Sequence, residues 1–187
     1  KNINFFDIHN ILTNLVLWEG ITKRFKLINI ERNPIDLVYS LFQNNFGKHI
    51  PNNITQLLLY KQKKVYVPYN AYKWRTKYTI MNKLDRIINE VYSTQEQSKQ
   101  QFKKSKQKKN ILKIKYEDLL IRPLLNLKKI NKFLGLKSNI NFKKYKSKIN
   151  LSKIPNKNSI SKKLEFIKKN SSPQSYKKLI YLQSIYN

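Results

Sequence analysis

Short solid apolar runs alternate along this chain with apolar stripes of helical period. "INFFDIH" (residues 3 to 9), apolar and aromatic with one acid inside it, reads as a short buried strand. Leu12, Leu15 and Trp18 stand at helical spacing and predict a helix from about Leu12 to Arg24, after which "FKLINI" (25 to 30) is a second strand. Asn33 precedes Pro34, and Asp36 lies three residues beyond Asn33. Proline suits a first helical turn because its missing N–H would have no partner there, and Asn-x-x-Asp approximates a capping box. Ile35, Val38, Leu41 and Phe42 form the apolar stripe of the helix that follows. Residues 51 to 92 read as helical in pieces, with "NNITQLLLYKQ" and "YTIMNKLDRIINEVY" the clearest segments. The polar low-complexity stretch 93–110 has no apolar periodicity and is predicted to be a solvated helix end and a loop. "ILKIKY" (111 to 116) is a strand; "EDLLIR" follows it, and a helix runs from about Pro123 to Leu134 with Gly135 at its C′ position. From 137 to 160 the chain is basic and irregular, and two short helices close it, the last starting near Ser172-Pro173.

Strand, helix, strand, helix, with a later strand and helix, is the order that gives an α/β fold: a parallel sheet flanked by helices, here a single domain over 1–187. Ligands of such sheets collect beyond the carboxyl ends of the strands, where helix N-termini direct unpaired N–H groups outward. His9, Arg32 and Tyr116 each stand at such a strand end.

A chain of 187 residues can hide roughly 70 % of the surface its unfolded form exposes, and 40 % hydrophobic residues supply the core. No run of about 18 apolar residues is present, so no membrane span is predicted. The opening "KNINFFDIHN" has neither the apolar core nor the cleavage-like site of a signal peptide. Lack of cysteine excludes disulfides and thiolate ligands and fits a reducing compartment such as the cytoplasm, without requiring one. A formal charge of +29 first suggests a nucleic-acid or anionic-membrane partner. The charge is mostly lysine, however, in a chain crowded with Asn, Ile, Tyr and Phe and holding one alanine, the preferences that AT-rich codons impose on any protein. A basic surface alone is the weakest part of a nucleic-acid diagnosis, and no specific nucleic-acid partner is inferred.

An arginine just before a helix N-terminus adds a bidentate fork to the positive end of the helix dipole, which suits a phosphate. Ser40 follows Asn33 by seven residues, nearly two turns, and returns to the same side of the helix, where its hydroxyl can share that anion. On spacing alone, a surface arginine and a solvent-facing serine fit equally. "ERNPIDLVYS", Arg-Asn-Pro-x-Asp followed by Ser40, resembles the 3′-phosphate-binding segment of the sulfotransferases that use 3′-phosphoadenosine-5′-phosphosulfate (PAPS). "ILKIKYEDLLIRPLLNLKKINKFLGL" (111 to 136) is similar to that family's Tyr-Glu-Asp-Leu strand end and the proline-started helix that closes on Phe-Leu-Gly. The resemblance is clearest over 3 to 46 and 111 to 136.

The resemblance implies a P-loop-like sulfotransferase fold and a sulfuryl transfer from PAPS to a hydroxyl or amine of an acceptor: glycan, lipid or peptide. It implies that Arg32 and Ser40 bind the 3′-phosphate and that Tyr116 lies near the nucleotide. His9, twenty-three residues before Arg32, stands about where the family carries its catalytic histidine. Imidazole, with an unperturbed pKa near 6.5, suits removal of the acceptor's proton. Asp7 shares the strand face of His9, where it either holds one imidazole tautomer or merely solubilises a strand edge; the family usually has lysine there. No metal is implied, because no second His or Cys lies at ligand spacing. The family's phosphate loop, a Pro-Lys-x-Gly-Thr-Thr-like turn upstream of the histidine, has no match here. The resemblance therefore implies a fold lacking its first strand and phosphate loop, a fragment that turns over little. Lys157, Lys162 and Lys163 are stand-ins for a basic C-terminal loop, and 47 to 110 shapes the acceptor pocket. Glu117 and Asp118, adjacent and divergent, read as capping and ion-pairing groups; His49 reads as a loop residue, and Trp18 and Trp74 as packing residues. A basic nucleic-acid-binding protein and a non-catalytic sulfotransferase remnant are the rival readings.

Overall fold

The computed structural model describes residues 11–22, 24–44, 46, 59–62, 65–136 and 157–187. The strand expected at 3 to 9, with Asp7 and His9, lies outside the described residues, as does His49. A 3-10 turn, Ile11–Asn14, leads into helix α1, Leu15–Ile21. Strand β1, Leu27–Glu31, follows, then α2, Pro34–Gln43. Strands β2, Leu59–Gln62, and β3, Val65–Pro68, form an antiparallel pair. A 3-10 segment, Tyr69–Trp74, then passes into α3, Arg75–Ile80, and α4, Lys83–Lys104. Strand β4, Ile111–Lys115, is followed by α5, Tyr116–Ile121, and α6, Pro123–Leu134. Helices α7, Lys157–Asn170, and α8, Pro173–Tyr186, complete the described chain.

The fold is helix-rich with a small parallel sheet, compatible with an α/β sulfotransferase architecture. β1 pairs with β4 in parallel, with Leu27 beside Ile111 and Glu31 beside Lys115. This register sets Arg32 and Tyr116, the residues that leave the two strands, next to each other at one sheet edge.

The core forms where α2, α4, α7 and α8 meet. Ile35 and Val38 of α2 pack with Leu84, Ile87, Ile88 and Val91 of α4, Ile167 of α7, and Leu179 and Leu182 of α8. The expected stripe Ile35–Val38–Leu41–Phe42 is the face α2 turns inward, although Leu41 and Phe42 are only partly buried. A second cluster, Val67, Ala71 and Tyr78 with Trp74 packed against it, lies under the hairpin. Trp74 is thus a packing residue, its ring 5.5 Å from that of Tyr78.

Three differences from the sequence reading have physical causes. Residues 59–62 of the segment expected to be helical form β2, because Leu59 to Gln62 find a pairing partner in Val65 to Pro68. The helix expected across 78 to 92 breaks at Met81-Asn82: the Asn82 side chain accepts from the Asp85 N–H at 2.8 Å and starts α4 afresh. The polar stretch 93–110, expected to be a solvated helix end and a loop, carries the helix further than a mere end, through Lys104. Glutamine, glutamate and lysine are good helix formers, and the segment is held by its own amides. Gln97 donates to the Thr13 carbonyl at 3.2 Å, and Gln101 accepts the Val16 N–H at 3.1 Å. Past the helix end, Glu19 accepts the Ser105 hydroxyl and the Lys106 N–H.

Helix ends are closed by side chains. Asp85 accepts from the Ser172 N–H and hydroxyl and from the Asn82 amide, joining the starts of α4 and α8. Pro123, with no N–H to give, breaks α5 from α6, and buried Asn126 donates to the carbonyls of Asp118 and Arg122 across the break. Gly135, at φ 75°, ends α6 in a left-handed conformation with Leu136 N–H on the Asn131 carbonyl.

Candidate functional site

Arg32 leaves β1 and its guanidinium lies 5.5 Å from the centroid of the Tyr116 ring, which leaves β4. Arg32 is half-buried and has no carboxylate partner among the described residues. A cation held over an aromatic face, with no anion among the described residues to satisfy it, is ready to receive one from outside. Two of the expected site residues are therefore brought together.

The helix N-terminus beside them is already closed. The Asn33 side chain accepts from the N–H groups of Ile35 at 2.9 Å and Asp36 at 3.3 Å, and the Leu37 N–H bonds the Asn33 carbonyl. The N–H of Asn33 itself is donated to Glu117 Oε1 at 3.0 Å. The start of α2 thus leaves no free backbone donor among Asn33, Ile35, Asp36 and Leu37, and an anion here falls to side chains. The capping box is also incomplete. Asp36, buried at N3, does not reach back to Asn33; its Oδ1 accepts from Lys163 Nζ at 2.5 Å, and its Oδ2 has no partner among the described residues.

Ser40, half-buried on the second turn of α2, has no hydroxyl partner among the described residues; its carbonyl accepts the Asn44 amide at 2.9 Å. Its neighbour Tyr39 walls a cavity of about 400 Å³ completed by Asn158, Ser159, Lys162, Lys163 and Phe166. Two of the three stand-in lysines therefore come to this wall. Lys162 is exposed, whereas Lys163 is bound to Asp36. Lys157 opens α7. His9, expected to be catalytic, lies outside the described residues.

Glu117 and Tyr186 are the residues that the sequence reading undervalued. Glu117, read as a capping or ion-pairing group, holds the Asn33 N–H with one oxygen and accepts the Tyr186 hydroxyl with the other. Burial first, and then the hydrogen bond to Glu117, push the Tyr186 phenol far above its ordinary pKa, so it remains a donor. Lys115 lies 4.6 Å from the Tyr186 ring centroid, and Lys113 pairs with Glu31 at 2.9 Å on the same sheet face. Asp118 is exposed, and no cluster of three or more His, Cys, Asp or Glu gathers among the described residues. No helix among them is long and apolar enough to cross a membrane.

No curated protein and no solved structure matches the chain. The family model described as "Sulfotransferase domain" matches residues 4–182, a span that takes in β1, β4 and the Arg32–Tyr116 pair. With nearly its whole length covered, the chain belongs to the sulfotransferase domain family, whose chemistry is sulfuryl transfer.

Proposed function

We propose that the chain transfers a sulfuryl group from PAPS to a hydroxyl or amine of a glycan, lipid or peptide acceptor. The observation that carries this reading is the guanidinium of Arg32, stacked on Tyr116 and without a carboxylate partner among the described residues. That arrangement fits the 3′-phosphate that sets PAPS apart from other adenine nucleotides. Arg32 supplies two N–H groups in a fork that matches two phosphate oxygens, and the Ser40 hydroxyl, without a partner among the described residues, supplies another donor. Tyr116 holds the guanidinium in place and offers its ring edge to the nucleotide. Lys162, exposed on the cavity wall beside Tyr39, adds a mobile positive charge.

In the reaction the bond from sulfur to the donor's phosphate oxygen breaks, and a bond forms from sulfur to the acceptor's oxygen or nitrogen. The transition state is loose and in line, as in phosphoryl transfer, so positioning and charge supply most of the catalysis. His9 takes the acceptor's proton as general base. This role rests on its spacing to Arg32 and on the family resemblance.

Calorimetric titration of 3′-phosphoadenosine-5′-phosphate (PAP) into the chain and its Arg32→Ala variant, at two salt concentrations, tests the reading. Binding that needs Arg32 and depends modestly on salt is expected. Binding that ignores Arg32 and weakens steeply with salt would instead mark a general polyanion surface.

A further inference from the structure

The loop that carries Arg32 is held by a relay of two residues far away in the chain. Glu117, eighty-four residues after Asn33, accepts the Asn33 N–H at 3.0 Å. Tyr186, sixty-nine residues after Glu117, donates its hydroxyl to the other oxygen of the same carboxylate. The Tyr186 ring also lies over the ammonium of Lys115, the last residue of β4 and the neighbour of Tyr116. The last helix, α8, therefore reaches the anion loop through one carboxylate, and neither Glu117 nor Tyr186 has a part in the proposed transfer chemistry.

We propose that Glu117 and Tyr186 are positioning residues for the nucleotide site: the seating of the end of α8 sets the conformation of the 32–33 loop and hence the affinity for a 3′-phosphate. The inference rests on the reading of Arg32 as a 3′-phosphate ligand for its second half only. Three features support the coupling. The Asn33 N–H immediately follows the Arg32 carbonyl, so its orientation fixes the peptide that aims the arginine. A carboxylate is the strongest acceptor such an N–H can find, and Glu117 keeps both oxygens satisfied by the two donors. Tyr186 stays protonated, so the contact persists across the neutral range.

The test uses the 187-residue chain and three variants. Tyr186→Phe removes one hydroxyl and keeps the ring; Glu117→Ala removes both acceptors; Glu117→Gln keeps an acceptor for Asn33 and offers a donor to the Tyr186 oxygen. Amide hydrogen exchange is read without ligand on a peptide covering 31–37, with 111–115 as internal reference, and PAP affinity is measured in parallel. Roughly ten- to a hundredfold faster exchange over 31–37 is expected in Glu117→Ala, the size of one hydrogen bond to a charged acceptor. A rise of about threefold or more is expected in Tyr186→Phe, with 111–115 unchanged and Glu117→Gln close to wild type. PAP affinity should fall in the same order. A merely structural role would lower the melting temperature without this local, rescuable pattern. Unchanged exchange over 31–37 in folded Glu117→Ala and Tyr186→Phe overturns the inference. Faster exchange with PAP affinity equal in all four proteins overturns its second half. Faster exchange in a series where even the wild type ignores PAP upholds the coupling and removes the PAPS reading instead.

Discussion

Replacing Lys163 by methionine should unfold this protein several degrees early, whereas the same change at Lys162 should do almost nothing. Both lysines line the cavity beside Tyr39, but their surroundings differ. Lys163 gives its ammonium to Asp36, whose side chain is 2 % exposed, and is itself 25 % exposed. Its charge also lies 5.7 Å from the Tyr39 ring centroid. Removing it leaves a carboxylate buried at N3 of α2 with neither oxygen paired among the described residues, because Oδ2 already lacks a partner there. Breaking a fully buried pair costs about 3–5 kcal/mol, and a surface pair is worth at most about 1 kcal/mol. A pair with one end buried and the other a quarter exposed falls between them, at about 2 kcal/mol. For a chain of this length that lowers Tm by about 4–8 °C. Lys162→Met should stay within about 0.5 kcal/mol of wild type. Thermal unfolding by circular dichroism, at matched pH and salt, measures both. The double variant Asp36→Asn/Lys163→Met should recover part of the loss, since it removes the stranded charge. Equal melting of the two lysine variants would refute the claim that Asp36 depends on Lys163.

Two further expectations concern the scaffold. Gly135→Ala should destabilise by roughly 1–2 kcal/mol because the residue sits at φ 75°, even though nothing crowds an added methyl; denaturant midpoints decide it. Burial raises the Tyr78 phenol from 10.0 to about 12. Its contribution to stability is therefore complete below pH 10 and is lost as pH rises through about 12, because the unfolded chain gives up its proton first. Titrating stability through this window in wild type and Tyr78→Phe should show a steeper decline in wild type; parallel curves would contradict it.

What could be read in the sequence was what neighbouring residues decide. Asn33-Pro34 starts α2, and Pro123 and Gly135 bound α6, each through local backbone chemistry. The sheet edge was also legible, since two apolar strands in a parallel order bring Arg32 and Tyr116 together. The strand pair was not, because no Asn-Gly, the usual sequence signal of a hairpin, stands between Gln62 and Val65. Nor was the length of α4, whose polar end is secured by Gln97 and Gln101 against a segment some eighty residues earlier. Glu117 looked like a local cap because its true partners, Asn33 and Tyr186, are distant in the chain and meet only after folding. Nor was the closed start of α2 legible, where the Asn33 side chain takes the Ile35 and Asp36 N–H groups and the distant Glu117 takes that of Asn33.

The proposed hold of Arg32 on a 3′-phosphate is tested by a ligand-by-residue cycle. PAP and adenosine 5′-monophosphate, which lacks only the 3′-phosphate, are titrated calorimetrically into wild type and Arg32→Ala. A charge-assisted contact to phosphate is worth about 1.5–3 kcal/mol, so wild type should prefer PAP by roughly ten- to a hundredfold. In Arg32→Ala that preference should largely vanish, with the affinity for the monophosphate unchanged. If wild type binds the two nucleotides equally, or if the preference for PAP survives without Arg32, the arginine does not hold the 3′-phosphate.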